Sequence, residues 1–487
     1  MAARKNPRVT PRRRDRSKPA SAPDRSPAGQ LPVSFNYRAF MLVLAAGVIV
    51  RIIVFAYMGF FNNDNHLLVI DYVARYWIPA HSDQFNQAYH PPLYYFLAAP
   101  LLRLGGVTAV HGLSLIFSIA TFLLIAHLLS QLPWIYEKIR PWCLALAAFQ
   151  PQFVLFSLFV SNDTLAIFLA TLIFYQSWRV QLSPSLANCF SLGICLGLGL
   201  LTKAVFMVFV IPLTLFIWLI GHRRTLPRSQ LLAQLASFLL TAGFLGCYKY
   251  VETFILFGNP MVSNLDFWNW TSEQQPTWLG ISSLLDFNLP KLVREPVISA
   301  STVHSYPLML YGSFWYALIP ESTFRSNLVS PFNRLGSLIY LAALCPTLLM
   351  LVGANRIAMA ALGIRAWAEA AQSAHTLNRL DYEGILLLIF LLNFLLIVAV
   401  GWTSDVWSVF QGRLLFPSFF PLLLAFNAGM ERADHTRLLS NLIRSLMAAL
   451  ITLFLVYIIV EVWLAIYDPV NPFRMDHVPF KVDMHAR

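Results

Sequence analysis

The sequence predicts an all-α polytopic membrane protein, on three observations. Hydrophobic residues make up 57% of the 487 positions and charged ones only 12%, against roughly 25% charged in a soluble domain. Apolar runs of about 18 to 22 residues recur from end to end, each long enough to cross the ~30 Å hydrocarbon layer as a helix. The net charge of +12 is concentrated in the N-terminal tail and in short loops between apolar runs, which is the positive-inside pattern of membrane proteins. That distribution excludes both a soluble multidomain enzyme and a nucleic-acid-binding surface.

The tail, residues 1–37, is basic (Arg4, Lys5, Arg8, Arg12, Arg13, Arg14, Arg16, Lys18) and rich in Pro and Ser. It reads as a disordered cytoplasmic segment suited to anionic lipid headgroups. Its charged stretch is too long, and lacks the small-residue site, for a cleavable signal peptide.

Residues 38–466 form the transmembrane domain, with about eleven spans expected near 38–60, 108–130, 141–160, 163–181, 186–202, 204–220, 231–257, 335–353, 383–401, 412–429 and 444–466. Lys138, Arg140, Arg179, Arg223, Arg224, Arg228, Arg356, Arg365, Arg432 and Arg437 all fall on the side of the tail. The tail is therefore expected in the cytoplasm, with the C-terminal segment 467–487 outside. Two external segments, 61–107 and 258–334, are too long for connectors, and loops of that length are usually functional. The second carries Trp268, Trp270, Trp278, Pro290, Pro296 and Pro307, an aromatic content suited to the headgroup level. Neither an internal repeat nor a matched pair of broken spans is evident, which weighs against a transporter. The five cysteines lie in apolar spans, where Cys behaves as a small buried hydrophobe.

Polar residues stand out against this background. Asp64, in Asn63-Asp64-Asn65-His66 just past the first span, can act as a general base or simply cap the helical run that follows. His66 and Tyr89 join it as site candidates. In Tyr89-His90-Pro91-Pro92 the double proline suits the first turn of a helix and holds His90 near the interface; a plain loop histidine is the alternative. Asp163 is the one acid of a near-loopless hairpin, Ser161-Asn162-Asp163-Thr164, and capping competes there with catalysis. Lys203, after Leu201-Thr202, and Arg413, after Gln411-Gly412, sit near outer span ends. An embedded cation is functional by default, and two could hold a phosphate; snorkelling to the interface is the bland reading. Arg51, within the first span, and the Lys249/Glu252 pair at i,i+3 read as structural. Asn269-Trp270-Thr271 fits the glycosylation sequon.

Taken in order, these motifs resemble one family. The chain is similar to the protein O-mannosyltransferase and aminoarabinose-transferase group of the GT-C glycosyltransferase superfamily, over about residues 38–430. The resemblance lies in Asp64 to Ala74, in His90-Pro91-Pro92-Leu93-Tyr94-Tyr95, in Ser161 to Leu165, in Leu201-Thr202-Lys203 and in Gln411 to Pro417. It implies a GT-C fold and transfer of a sugar from a polyprenyl-phosphate carrier on the external face, to a glycan, lipid or protein acceptor. It further implies Asp64 as catalytic base, Asp163 as second carboxylate, and Lys203, Arg413 and His90 on the carrier phosphate. Many relatives have Asp-Glu where this chain has Asp64-Asn65, and Glu-Lys-Pro-Pro where it has Tyr89-His90-Pro91-Pro92. With no acid at 89, a metal ligand of some relatives is missing, and no required cofactor is expected. One inverting displacement is expected, since no dedicated nucleophile is evident. Membrane lipids are the other expected partners and nucleic acid is not one. The expected address is a bacterial inner or plasma membrane rather than endoplasmic reticulum. A flippase for a lipid-linked substrate and a non-catalytic GT-C-like subunit are the competing readings.

Overall fold

The computed structural model describes residues 37–60, 65–267, 280–296, 305–316, 329–363, 374–404, 411–433 and 436–468. Asp64, Trp268, Trp270, Trp278, the 269–271 sequon and Arg365 lie outside them, as do most of the two terminal segments. Regular structure among the described residues is helical. The helices used below are α1 (Tyr37–Tyr57), α2 (His66–Tyr76), α3 (Leu93–Gln131), α4 (Arg140–Phe149), α5 (Pro151–Leu155), α6 (Asn162–Leu182), α7 (Leu186–Leu200), α8 (Met207–Arg223), α9 (Arg228–Gly246) and α10 (Tyr248–Phe257), followed by α11 (Tyr306–Trp315), α12 (Val329–Ala361), α13 (Ala374–Ser404), α14 (Phe419–Ala433) and α15 (Arg437–Tyr467).

Nine helical segments of the described chain are long and apolar enough to cross a membrane, so the protein is a multi-pass membrane protein. Each of the eleven expected spans coincides with a helical segment, but fewer than eleven pass as plain spans, and several depart from one. Residues 140–158 bend by 53° between α4 and α5. Helix α7 has only 15 residues. The run 231–257 is two helices, α9 and α10, divided at Cys247. The second span starts earlier than expected, because α3 begins at Leu93 and is interrupted at Gly105 and Gly106, the latter at φ 64°; glycine takes that left-handed conformation without steric cost.

Arg51 explains how the bend is tolerated. Pro151 has no N–H to give the Ala147 carbonyl four residues before it. The fully buried Arg51 guanidinium donates instead to Ala147 O (2.9 Å), Ala148 O (3.1 Å) and Gly47 O (2.9 Å). Its Nε donates to Ser118 Oγ at 3.1 Å, and its charge lies 4.5 Å from the Phe122 ring centroid. A cation in mid-span is costly, yet here it satisfies carbonyls that a broken helix would leave unpaired in hydrocarbon.

Close helix contacts are made by glycines. A Cβ on Gly353 would land on the Ala425 carbonyl oxygen, and one on Gly429 on the Leu349 carbonyl oxygen. Helices α12 and α14 therefore cross with backbones in contact, as small-residue interfaces allow in membranes. Gly193 and Gly197 play the same part where α7 meets α9.

Charged side chains gather at two opposite poles. One pole holds Arg223–Asp381 (2.9 Å), Arg379–Glu383 (2.9 Å), and Glu431 bonded to both Arg379 (3.1 Å) and Arg356 (3.2 Å). Arg224 also donates there to Gln181 O at the end of α6. The other pole holds Asp163, Lys203, Arg413, His66 and His90. Arg413 and Glu431 are 18 residues apart along one largely helical segment, about 27 Å at 1.5 Å per residue, close to the hydrocarbon thickness. Helices α6, α7, α8 and α9 run alternately between these poles, α7 with only 15 residues.

The positive-inside expectation puts the Glu431 pole in the cytoplasm. In a Cys247→Ser background, Asp83→Cys should react with an impermeant thiol reagent on intact cells, whereas Thr225→Cys should react only after permeabilisation. Equal labelling would sink this orientation.

Candidate functional site

The site is built around the turn 201–203 that ends α7. The Leu201 carbonyl accepts from Leu93 N at 3.0 Å, where Pro91 and Pro92 have set the start of α3. The Thr202 carbonyl accepts from Asn162 Nδ2 at 3.2 Å, at the start of α6. Three segments far apart in sequence thus meet at one turn.

Ser161 caps α6, its Oγ accepting from Asp163 N at 3.0 Å. Capping by Ser161 leaves the Asp163 carboxylate available, and it turns to cations. Lys203 Nζ bonds Asp163 Oδ1, and Arg413 Nη1 stands 4.0 Å from Oδ2. The three side chains are only 12–17% exposed, so their Coulomb interactions are poorly screened. Arg413 is presented by the tight turn Gly412–Ser418. That turn is anchored by Gly412 N donating to Ser313 Oγ at 2.7 Å, and a Cβ at 412 would collide with the Phe314 backbone. Gln411, just before it, is buried with its side-chain oxygen unpartnered among the described residues.

Helix α11, which supplies Ser313, lies in the second long segment, 258–334. Its residues are largely buried, with the Phe314 carbonyl accepting from Gln150 Nε2 and the Tyr316 carbonyl from Gln152 Nε2. Its apolar side chains are better placed there than in water.

The first long segment, 61–107, brings two histidines to the same pole. His66 opens α2 after Asn65, which sits at φ 57°, a left-handed conformation that Asn visits more readily than most residues. Its ring stacks on that of His90 at 5.8 Å and 15°, and Tyr89 lies 4.1 Å from the His90 ring. His66 Nδ1 is 3.0 Å from Tyr95 Oη, which donates to Gln87 O at 3.0 Å. Burial first, then the charges of Lys203 and His66, hold the His90 imidazole well below the usual histidine range; Asp163 opposes them and Lys249 adds to them. Lys249 itself bonds Glu252 (2.7 Å) and the Ala80 carbonyl (3.1 Å), as its structural reading required.

Of the residues singled out in sequence, Asp163, Lys203 and Arg413 meet directly, His66 and His90 stand together beside them, and Tyr89 and Gln411 adjoin the group. Asp64 lies outside the described residues. Sequence reasoning missed the roles of Tyr95, Gln87 and Asn162. The aromatic pair after Pro91-Pro92 was the one signal for Tyr95; the others carry none.

These features define a multi-pass helical membrane protein with a partly buried, cation-rich polar cluster at one pole. No family model matches the chain, and no curated protein matches it in sequence. Solved structures similar to it include ArnT from Cupriavidus metallidurans bound to undecaprenyl phosphate and the same protein in the apo state. Both are 12% identical and cover 81% of this chain and 78% of that one, with TM-scores of 0.36 and 0.34. At that degree of likeness the chemistry has to be read from the residues themselves.

Proposed function

We propose that this protein is a membrane glycosyltransferase of the GT-C type, moving a sugar from a polyprenyl-phosphate carrier to an acceptor at the pole away from the tail. The observation that carries this reading is the Lys203–Asp163–Arg413 group beside His90, at span ends where a lipid phosphate would lie. Asp163 orders the two cations before any substrate arrives, so little reorganisation is needed when charge develops. It is a poor base while so engaged, and its role in this reading is to hold Lys203 and Arg413. Asp64 is the acid assigned to take the acceptor proton.

Charge counting supports the same assignment. A polyprenyl-phosphate sugar is a phosphodiester with one negative charge, matching the net charge of +1 on the trio. As the anomeric C–O bond breaks, the phosphate becomes a monoester and develops a second. His90, neutral in the free site because its pKa is lowered, is placed to become cationic at that moment, an interaction stronger in the transition state than before it. The isoprenoid tail would lie along the apolar spans, and an inverting displacement needs only these groups.

Binding to polyprenyl phosphate and to its sugar-linked form tests the reading. Lys203→Ala or Arg413→Ala should weaken each by about 10- to 100-fold, from the roughly 1.5–3 kcal/mol of a charge-assisted contact. Affinity for the monoester should rise as pH falls from 8 toward 6, about the second pKa of a phosphate monoester, because the complex takes up a proton at His90. His90→Gln should abolish that part of the slope, the phosphate's own ionisation being common to both proteins. Wild-type affinities in both cation variants would make Lys203 and Arg413 interfacial anchors.

A further inference from the structure

We propose that Arg179, Arg224 and Arg228 form a docking surface for the headgroup of an anionic phospholipid at the Glu431 pole, with its acyl chains along α9. The proposal concerns the pole opposite the Asp163 cluster and does not rest on the transferase reading.

Three helix ends meet there: α6 and α8 finish, and α9 begins. Arg224 Nη2 donates to the Gln181 carbonyl at 3.0 Å, which brings it onto the last turn of α6 beside Arg179. The amides of Thr225 and Leu226 close the next turn on the His222 and Gly221 carbonyls, both at 3.0 Å, and Arg228 follows directly as the first residue of α9. Gln234 Nε2 donates to the Pro184 carbonyl at 2.8 Å and holds α9 against the connection between α6 and α7. All three arginines are exposed.

The surface is unbalanced in charge. Residues 164–251 contain no Asp or Glu. Asp381, from α13, takes Arg223 at 2.9 Å, whereas Arg179, Arg224 and Arg228 have no carboxylate partner among the described residues. Helix dipoles account for Arg179 and Arg223, in the last turns of α6 and α8, where a cation is favourable. They do not account for Arg228, which opens α9, where a cation is disfavoured. A phosphate relieves this repulsion, and guanidinium groups grip its oxygens in pairs. The pole is the one expected to face the cytoplasm, whose leaflet is anionic.

Apolar surface beginning at the arginines favours a lipid over a soluble anion. Along α9, Arg228, Leu232, Ala236, Leu240 and Phe244 follow at steps of four, and each is exposed. Leu232, Leu240 and Phe244 are 65%, 73% and 84% exposed. The ridge runs for about 24 Å at 1.5 Å per residue, more than the half of the ~30 Å hydrocarbon layer that one leaflet fills. Trp218, also exposed, stacks on His222 at 5.6 Å and 6°, as suits an aromatic side chain at headgroup level.

Thermal unfolding of the purified full-length protein in detergent, titrated with phosphatidylglycerol or phosphatidylcholine, tests the proposal. Phosphatidylglycerol should raise Tm at a lower concentration than phosphatidylcholine, and added salt should narrow the difference. In Arg179→Gln/Arg228→Gln, apparent affinity for phosphatidylglycerol should fall by roughly 25-fold, about fivefold for each arginine at a membrane surface. Affinity for phosphatidylcholine should not change. Arg179→Lys/Arg228→Lys keeps both charges and should retain most of the preference. The basic tail is common to all three proteins, so the difference between them reports this surface. An unchanged preference in the Gln protein, or a preference lost in the Lys protein, overturns the proposal. Equal protection by inorganic phosphate would mark a site for soluble anions and overturn lipid docking.

Discussion

Asp64→Asn should lower sugar transfer by roughly 10²- to 10⁴-fold, the usual contribution of a positioned base, at unchanged expression and donor binding. The substitution preserves size and any capping role, since Asn caps about as well as Asp. Only negative charge and basicity are removed, so a purely structural Asp64 would leave transfer almost normal. Purified protein assayed with a polyprenyl-phosphate sugar separates the two.

Asp163→Ala should destabilise the substrate-free protein by about 3–5 kcal/mol, the cost of leaving a buried charge without its partner. Lys203 and Arg413 are 17% and 12% exposed at the side chain and face each other across the carboxylate, so its removal sets two poorly hydrated cations in mutual repulsion. Polyprenyl phosphate should recover part of the loss, because its oxygens supply the missing anion to the same two groups. Thermal unfolding in detergent, with and without the carrier, measures both effects. An Asp163→Ala protein as stable as wild type, with no greater response to the carrier, would show that the trio does not hold this pole together.

The transmembrane character was legible in the sequence because it depends on local hydrophobicity alone: an apolar run of span length must be a helix in lipid, whatever surrounds it. The alternation of poles was legible for a similar reason, since counting runs gives the parity of each loop. Asp163, Lys203 and Arg413 could be singled out because charge near a span end is costly and therefore conspicuous. Their mutual arrangement could not, because the residues are 40 and 250 positions apart and nothing in either local stretch specifies the other.

Three features were decided by tertiary structure. Pro151 announces a possible break, but only packing against α1 brings the Arg51 guanidinium to the freed Ala147 and Ala148 carbonyls. Residues 306–315 are apolar but too short to span, and it is the fold that buries them, with Gln150 and Gln152 bonding the carbonyls of Phe314 and Tyr316. Ser161 rather than Asp163 caps α6, a choice between two competent neighbours that local propensity leaves open and that Lys203 and Arg413 settle. Taken alone, the sequence determined which segments cross the membrane and which polar groups stand near their ends. Which of those groups touch was left to helix packing, where backbone contact at Gly353 and Gly429 and hydrogen bonds at the 201–203 turn bring distant segments together; hydrophobicity is a property of each residue, whereas an ion pair exists only between residues that the fold has made neighbours.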